Sequence, residues 1–170
     1  GRAALGVVRI SGRDCHSLLQ KIFAPKNNQG IVPFKPILGR VLLEDGKFLD
    51  EVILTYYEKP HSYTREDLAE ISCHGNPIIL EQLLQRIISS GARLANAGEF
   101  TYRAFLNGRV DLVQAEAIKD LIEADSAHQA ELALDQMSGR LSRYLQDLRA
   151  EFIELIALME ANIDFSEEQH

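Results

Sequence analysis

From Ala130 to Ile163 apolar residues return every three or four positions: Ala130, Leu134, Met137, Leu141, Leu145, Leu148, Phe152, Leu155, Met159 and Ile163. That is the spacing of one helix face in a bundle or coiled coil. Such a stripe cannot bury itself. It needs the preceding residues, a segment outside this sequence, or a second subunit to cover it. Gly139 alone weakens the run. Just upstream, Asp111 with Gln114 and Ser126 with Gln129 carry the pattern of capping boxes. Between them Ala115, Ile118, Leu121 and Ile122 face one side. Residues 111–170 are therefore predicted to be all helix.

Residues up to about 110 read differently. Leu5 to Ser11, Ile37 to Leu43, Phe48 to Tyr57 and Leu68 to Cys73 are short β-rich runs, with Asp45-Gly46 as a hairpin signal between the second and third. Cys15, Leu18, Leu19, Ile22 and Phe23 fall at helical spacing, ended by Pro25. Lys26 to Pro36, with two prolines and two adjacent asparagines, reads as a loop. Asn76-Pro77 opens a second helix in the order of a capping side chain followed by a first-turn proline. Ala92 to Ala95 is predicted as a brief strand and Glu99 to Leu106 as a short helix closed by Asn107-Gly108. Mixed strands and helices followed by helices alone define an α+β domain with a helical appendage.

The chain of 170 residues is 46% hydrophobic and 25% charged, which suits a folded protein with a real core. A net charge of −7 argues against strong autonomous nucleic-acid binding, which needs a basic face. No signal peptide and no membrane-spanning run is present. Cys15 and Cys73 form no C-x-x-C pair, and a reducing, cytoplasmic setting is the simple reading.

Several constellations fail as chemistry. Gly1 to Gly6 lacks the lysine and hydroxyl of a phosphate loop; Val7 and Val8 stand in those places. Cys73 and His74 are neighbours on a strand and point to opposite faces, so they make no dyad. His61, His128 and His170 have no evident partners and read as surface residues. Glu66 and Asp67 fit a solvated turn. Two charges stand out. Arg9 lies between Val8 and Ile10, and Glu70 lies inside Leu68 to Cys73. A charge in such a strand needs water, a partner or a ligand. Three readings stand: alternating strands with both residues in solvent, a buried Arg9–Glu70 salt bridge, or a binding site in which Glu70 accepts paired N–H donors. Arg109, after the Asn107-Gly108 turn, reads by itself as a solvated arginine.

Three blocks carry a resemblance: GRAALGVVRISG from Gly1 to Gly12, SYTREDLAEISCHG from Ser62 to Gly75, and AGEFTYRAFLNGRVDLVQAEA from Ala97 to Ala117. DLIEA from Asp120 to Ala124 and IDF from Ile163 to Phe165 continue it. In this order they resemble the TrmE/MnmE family of tRNA-modifying GTPases. The resemblance implies a fold related to the tetrahydrofolate-binding domain of aminomethyltransferases over residues 1–110, then the first part of a helical domain over 111–170. It implies a homodimer with folate near its interface. The implied ligand is 5-formyl- or 5,10-methylene-tetrahydrofolate. The implied activity is addition of a carboxymethylaminomethyl group at position 5 of a tRNA wobble uridine. Further implied parts are a flavoprotein partner of the MnmG/GidA type, tRNA bound through the full complex, and GTP, potassium and magnesium in a G domain beyond this sequence. The protein would be cytoplasmic and need no membrane.

Residue by residue, the family's folate contacts carry over to Arg9, Glu70 and Arg109. Glu70 would take the amino edge of the pterin, and the two arginines would suit the carboxylates of the glutamate tail. No residue is assigned to catalysis or metal binding. Some positions depart from the family pattern: Arg109 stands where lysine is common, Asn76 where a glycine follows His-Gly, and Ala3 and Ala4 where glycines are common. A fragment is expected, since the family has a strand before Gly1 and a G domain and cysteine-bearing tail after Phe165; Cys15 and Cys73 do not inherit that cysteine's role. Two other readings are a stand-alone aminomethyltransferase-like enzyme and a ligand-free helical dimerisation scaffold.

Overall fold

The computed structural model describes residues 3–26 and 30–167, with side chains as far as residue 161. Gly1, Arg2, Asn27, Asn28, the side chains of Ile163, Asp164 and Phe165, and His170 lie outside the described residues. The chain divides into two units, Gly1–Arg109 and Val110–His170.

The first unit runs β1 (Leu5–Ser11), α1 (Cys15–Ile22), β2 (Phe23–Pro25), β3 (Pro36–Leu42), β4 (Phe48–Tyr57), β5 (Leu68–His74), α2 (Pro77–Ser89) and α3 (Glu99–Leu106). Its five strands form one sheet in the order β1-β5-β4-β3-β2, with every neighbouring pair antiparallel. Strict alternation decides which residues go inside. Val8 and Ile10 of β1, Ala69, Ile71 and Cys73 of β5, and Val52, Leu54 and Tyr56 of β4 are buried on one face. There they pack with Leu18, Leu19 and Ile22 of α1 and with Leu83 and Ile87 of α2. Leu19, Ile22, Leu54 and Ile71 are wholly buried, each stabilising the fold by about 1.5–3 kcal/mol. The helix α2 starts as its sequence dictates: Asn76 Oδ1 accepts from the Ile78 N–H, and proline fills the first turn.

Among the described residues, the buried core cluster lies on that one face of the sheet. A row of outward residues crosses four strands on the opposite face: Val7, Ser72, Ile53 and Leu38 stand opposite one another in register. The next row is Arg9, Glu70, Thr55 and Pro36. Val7, Ile53 and Leu38 are all exposed, as is Leu5 at the start of β1.

Two local expectations are corrected. Phe23 continues the helical spacing, yet the backbone turns extended there, and Phe23–Pro25 adds an edge strand to β3. Phe23 stays on the inward stripe in either conformation, so apolar spacing does not separate the two. Pro25 is tolerated because an edge strand leaves one side free of ladder bonds. A Cβ at Gly39 would run into the Phe23 ring and lie 2.7 Å from the Ala24 carbonyl oxygen, so the β2–β3 contact requires glycine there. Residues 92–95 form no strand. Arg93 instead donates to both carboxylate oxygens of Glu99, at 2.9 and 2.5 Å.

The second unit holds α4 (Leu112–Glu123), α5 (Ala127–Met137) and α6 (Arg140–Glu167). The Asp111–Gln114 capping box is complete. Ser126 makes only half of one: its side chain accepts from the Gln129 N–H, while Gln129 Oε1 accepts from the Asp125 N–H. The long run predicted from Ser126 onward is two helices. Gly139, at φ 76, takes the left-handed conformation that ends a helix. Gln114 crosses to donate to the Met137 carbonyl at 3.0 Å, beside that break. Along α6, Phe152, Ile153, Leu155, Ile156 and Met159 are exposed. No helix among the described residues is long and apolar enough to cross a membrane.

Candidate ligand-binding site

Arg9 and Glu70 point outward from neighbouring strands, as the alternation of each strand requires. They are directly opposite in the β1–β5 register. Arg9 Nε and Nη2 both donate to Glu70 Oε1, at 2.9 and 2.5 Å. Among the described residues, the second oxygen, Oε2, accepts only a long contact of 3.5 Å from the Tyr57 hydroxyl. The side chains keep 41% and 28% exposure, so the pair is neither buried nor fully solvated. One oxygen of the carboxylate thus retains capacity for further donors. Burial and the adjacent Glu70 charge raise the Tyr57 hydroxyl above its ordinary pKa, which keeps it a donor.

Arg109 joins the same place from another direction. It follows α3, whose end is closed by Asn107 and Gly108. Its Nη1 donates to the Ser62 carbonyl at 3.1 Å, and its guanidinium carbon lies 5.6 Å from the centre of the Tyr63 ring. The Arg9 guanidinium carbon lies 5.5 Å from the same ring and 5.7 Å from the Phe100 ring. Both are within the range of a cation–π attraction. Arg9 and Arg109, 100 positions apart in the chain, thus both reach the Tyr63 ring, and Glu70 joins them through the bonds it accepts from Arg9.

Tyr63, Phe100 and the network that holds them have no local sequence signature. Glu66, read from sequence as part of a solvated turn, accepts from Ser11 Oγ and from Arg103 Nη1, each at 2.9 Å. Thr64, wholly buried, shares a 2.6 Å hydrogen bond with Ser11. Asn107 Nδ2 donates to the Thr64 carbonyl at 2.7 Å, and Arg103 donates to Glu99 through Nε and Nη2. These bonds tie β1, the 62–67 loop and α3 together. Hydrogen bonds from Arg93, the Asn96 N–H and Arg103, in that order, hold the Glu99 carboxyl well below the ordinary carboxylate range.

A groove of about 700 Å³ is lined by Val7 to Ser11 of β1, Leu80 and Leu84 of α2, and Phe100 and Arg103 of α3. Arg9 is among its lining residues; Glu70 and Arg109 are not.

Cys73 and His74 do point apart. Cys73 is buried and its thiol donates to the Gly6 carbonyl. His74 faces outward, with Nδ1 2.7 Å from Oδ1 of the buried Asp50, whose Oδ2 accepts the His74 N–H at 2.9 Å. Sequence reading paired His74 with nothing, because Asp50 sits 24 positions away on β4. Cys15 is buried on α1, and desolvation pushes its thiol up to about 12.

Comparison with known proteins fits these observations. The family model described as "GTP-binding protein TrmE N-terminus" matches residues 1–109, and that described as "MnmE helical domain" matches residues 112–170. A tRNA modification GTPase MnmE of Aquifex aeolicus is 46% identical over 168 residues, covering 99% of this chain and 37% of the relative. Those of Koribacter versatilis and Thermotoga maritima are each 42% identical, again over 99% of this chain and 37% of the relative. The chain thus spans about 37% of the length of these curated relatives. Two adjoining domain matches in the right order, over nearly every residue, place the chain in the TrmE/MnmE family.

Proposed function

We propose that this chain is the folate-binding and dimerising segment of a GTPase that modifies the wobble uridine of tRNA. The observation that carries the folate reading is that Arg9 and Arg109 both lie against the Tyr63 ring while Arg9 is bonded to Glu70. Reduced folate offers complementary chemistry. The pterin has an amino group and a ring N–H on one edge, which one carboxylate accepts together. Glu70 is half-exposed, oriented by Arg9, and holds Oε2 in reserve. The glutamate tail carries carboxylates, which a guanidinium binds as a fork. Arg109 is exposed and spends one donor on a backbone carbonyl. The one-carbon state, 5-formyl or 5,10-methylene, is chemistry that the folate supplies. This segment is assigned binding and orientation.

Dimerisation is supported by the open sheet face. The exposed row of Val7, Ile53 and Leu38, with Leu5 beside it, borders the Arg9–Glu70 row directly. A second copy laid on that row would cover apolar surface and bring its own residues next to the folate site. An aminomethyltransferase-like fold is consistent with the mixed sheet-and-helix unit. Hydrolysis of GTP with potassium and magnesium, contact with tRNA and work with a flavoprotein of the MnmG/GidA type belong to the full-length protein in the cytoplasm. The share of the relatives that this chain covers favours that reading over a stand-alone aminomethyltransferase-like enzyme.

The ligand-free scaffold draws on the same ion pair, since Arg9 and Glu70 satisfy each other in part. Calorimetric titration with 5-formyltetrahydrofolate separates the two. Saturable binding that Glu70→Ala weakens at least about tenfold, the scale of one charge-assisted hydrogen bond, supports the folate site. An absence of heat, or equal affinity of the variant, leaves an ion pair and a scaffold.

A further inference from the structure

Tyr63 occupies an unusual position for a residue with no assigned role. Its ring is half-buried, with the Arg9 guanidinium 5.5 Å and the Arg109 guanidinium 5.6 Å from its centre. Both separations exceed the ~3.5–4 Å of flat carbon contact, so neither group is stacked tightly on the ring. The two cations are not equivalent. Arg9 is neutralised by Glu70 at 2.5 Å. Arg109 has no carboxylate partner within salt-bridge distance among the described residues, and donates only to a backbone carbonyl.

The ring is also held firmly. Its hydroxyl shares a 3.0 Å hydrogen bond with Thr101 Oγ1. Its chain neighbours Ser62 and Thr64 are 3% and 0% exposed. Ser62 Oγ donates to the Glu66 carbonyl at 2.5 Å, and Thr64 is bonded to Ser11. A rigid aromatic ring between two fixed polar ends is the arrangement that orients a flat ligand at low entropic cost.

The contacts run from the Glu70 carboxylate through its paired cation Arg9 to the Tyr63 ring, and from that ring to the unmatched cation Arg109. Folate presents three groups in the matching order: a pterin with N–H donors, a p-aminobenzoyl ring, and a glutamate with carboxylates. We infer that Tyr63 is the stacking platform for the p-aminobenzoyl ring, and that it sets the preference of the site for folates over bare reduced pterins. The inference rests on the folate reading above. It adds a specificity-determining residue to it and fixes the direction in which the ligand lies, with the tail on Arg109.

The test compares two ligands on the full-length protein: 5-formyltetrahydrofolate, and a tetrahydropterin that lacks the benzoylglutamate arm. In wild type both bind, folate more tightly. Tyr63→Leu is expected to weaken folate by about tenfold or more, the value of a lost aromatic contact and its buried area. It should change tetrahydropterin affinity by less than about threefold, since Glu70 keeps both hydrogen bonds from Arg9. Tyr63→Phe keeps the ring and loses only the bond to Thr101, so it should retain clearly more folate affinity than Tyr63→Leu. Equal losses on both ligands would mean that Tyr63 only steadies Arg9, and would overturn the platform. So would an unchanged folate affinity. A second measurement needs no variant: in wild type, the aromatic proton resonances of the p-aminobenzoyl group should shift upfield on binding, under the ring current of Tyr63, and the absence of that shift contradicts the inference. A wild type that binds neither ligand fails differently, since it removes the folate reading and the platform with it.

Discussion

Arg9 and Glu70 stand directly opposite each other on neighbouring antiparallel strands, and Arg9 places two donors on a single oxygen of Glu70. The pair lies on the uncovered face of the sheet, next to exposed Val7 and in the same cross-strand row as Thr55. That placement makes it cheap to expose and available to a ligand. An ion pair with this much solvent contact contributes at most about 1 kcal/mol to folding.

Stability and binding should therefore separate at these positions. Glu70→Gln keeps the shape and removes the charge. It should shift the unfolding free energy by no more than about 1 kcal/mol while lowering folate affinity by about ten- to a hundredfold, the scale of a charge-assisted hydrogen bond. Urea unfolding and calorimetry on the same protein check both parts. A large loss of stability with unchanged affinity would make the pair structural.

The open face makes a prediction about assembly. Val7→Glu and Ile53→Glu each put a charge on the exposed apolar row without touching the core. Sedimentation should show the dimer weakened by about tenfold or more, since an apolar side chain of this size is worth about 1.5–3 kcal/mol when covered. The thermal midpoint of the dissociated protein should be unchanged. A dimer of wild-type strength in both variants would place the interface elsewhere.

Much of the fold was legible because its signals are local. Alternation in Leu5–Ser11 and Phe48–Tyr57, the Asn76-Pro77 start of α2 and the Asp111–Gln114 box each need only a few adjacent residues, and each takes its expected form. The break at Gly139 was less so. A heptad-like stripe continues through a left-handed glycine because the count of residues does not register the change in the sign of φ. Phe23 was ambiguous for the same reason. In the site, Arg9 and Glu70 were visible as charges in apolar strands. Tyr63, Phe100 and the Ser11–Glu66–Arg103 network were not, because their contacts join residues 37 to 91 positions apart. The Asp50–His74 contact was hidden likewise: only the pairing of β4 with β5 brings those two residues together.

Both thiols should be inert in the native protein. Burial first, then the Asp67 charge, pushes Cys15 up to about 12, and burial first, then Asp50, raises Cys73 as well. At about pH 8, below the ordinary thiol value, a thiol reagent should label neither residue until denaturant is added. Rapid labelling of either residue in the folded state would show that the core formed by α1, α2 and the sheet opens.

The Glu99 cluster should make stability depend on acid. Its carboxyl is held low in the folded state, first by Arg93, then by the Asn96 N–H and Arg103. A lowered folded pKa contributes stability above the unfolded carboxylate value of about 4.3. That contribution is lost as pH falls through the unfolded value toward the folded one. The urea midpoint of wild type should exceed that of Glu99→Gln at about pH 7, and the difference should shrink by about pH 3. A constant difference across that range would show that charge on Glu99 is not what holds α3.

The most direct test of the site is a crystal structure of the protein with 5-formyltetrahydrofolate bound. The pterin amino edge should lie on the Glu70 carboxylate at hydrogen-bond distance, about 2.7–3.2 Å, with Arg9 still orienting Glu70. Ligand density away from Glu70, with the Arg9–Glu70 pair untouched by it, would contradict the account.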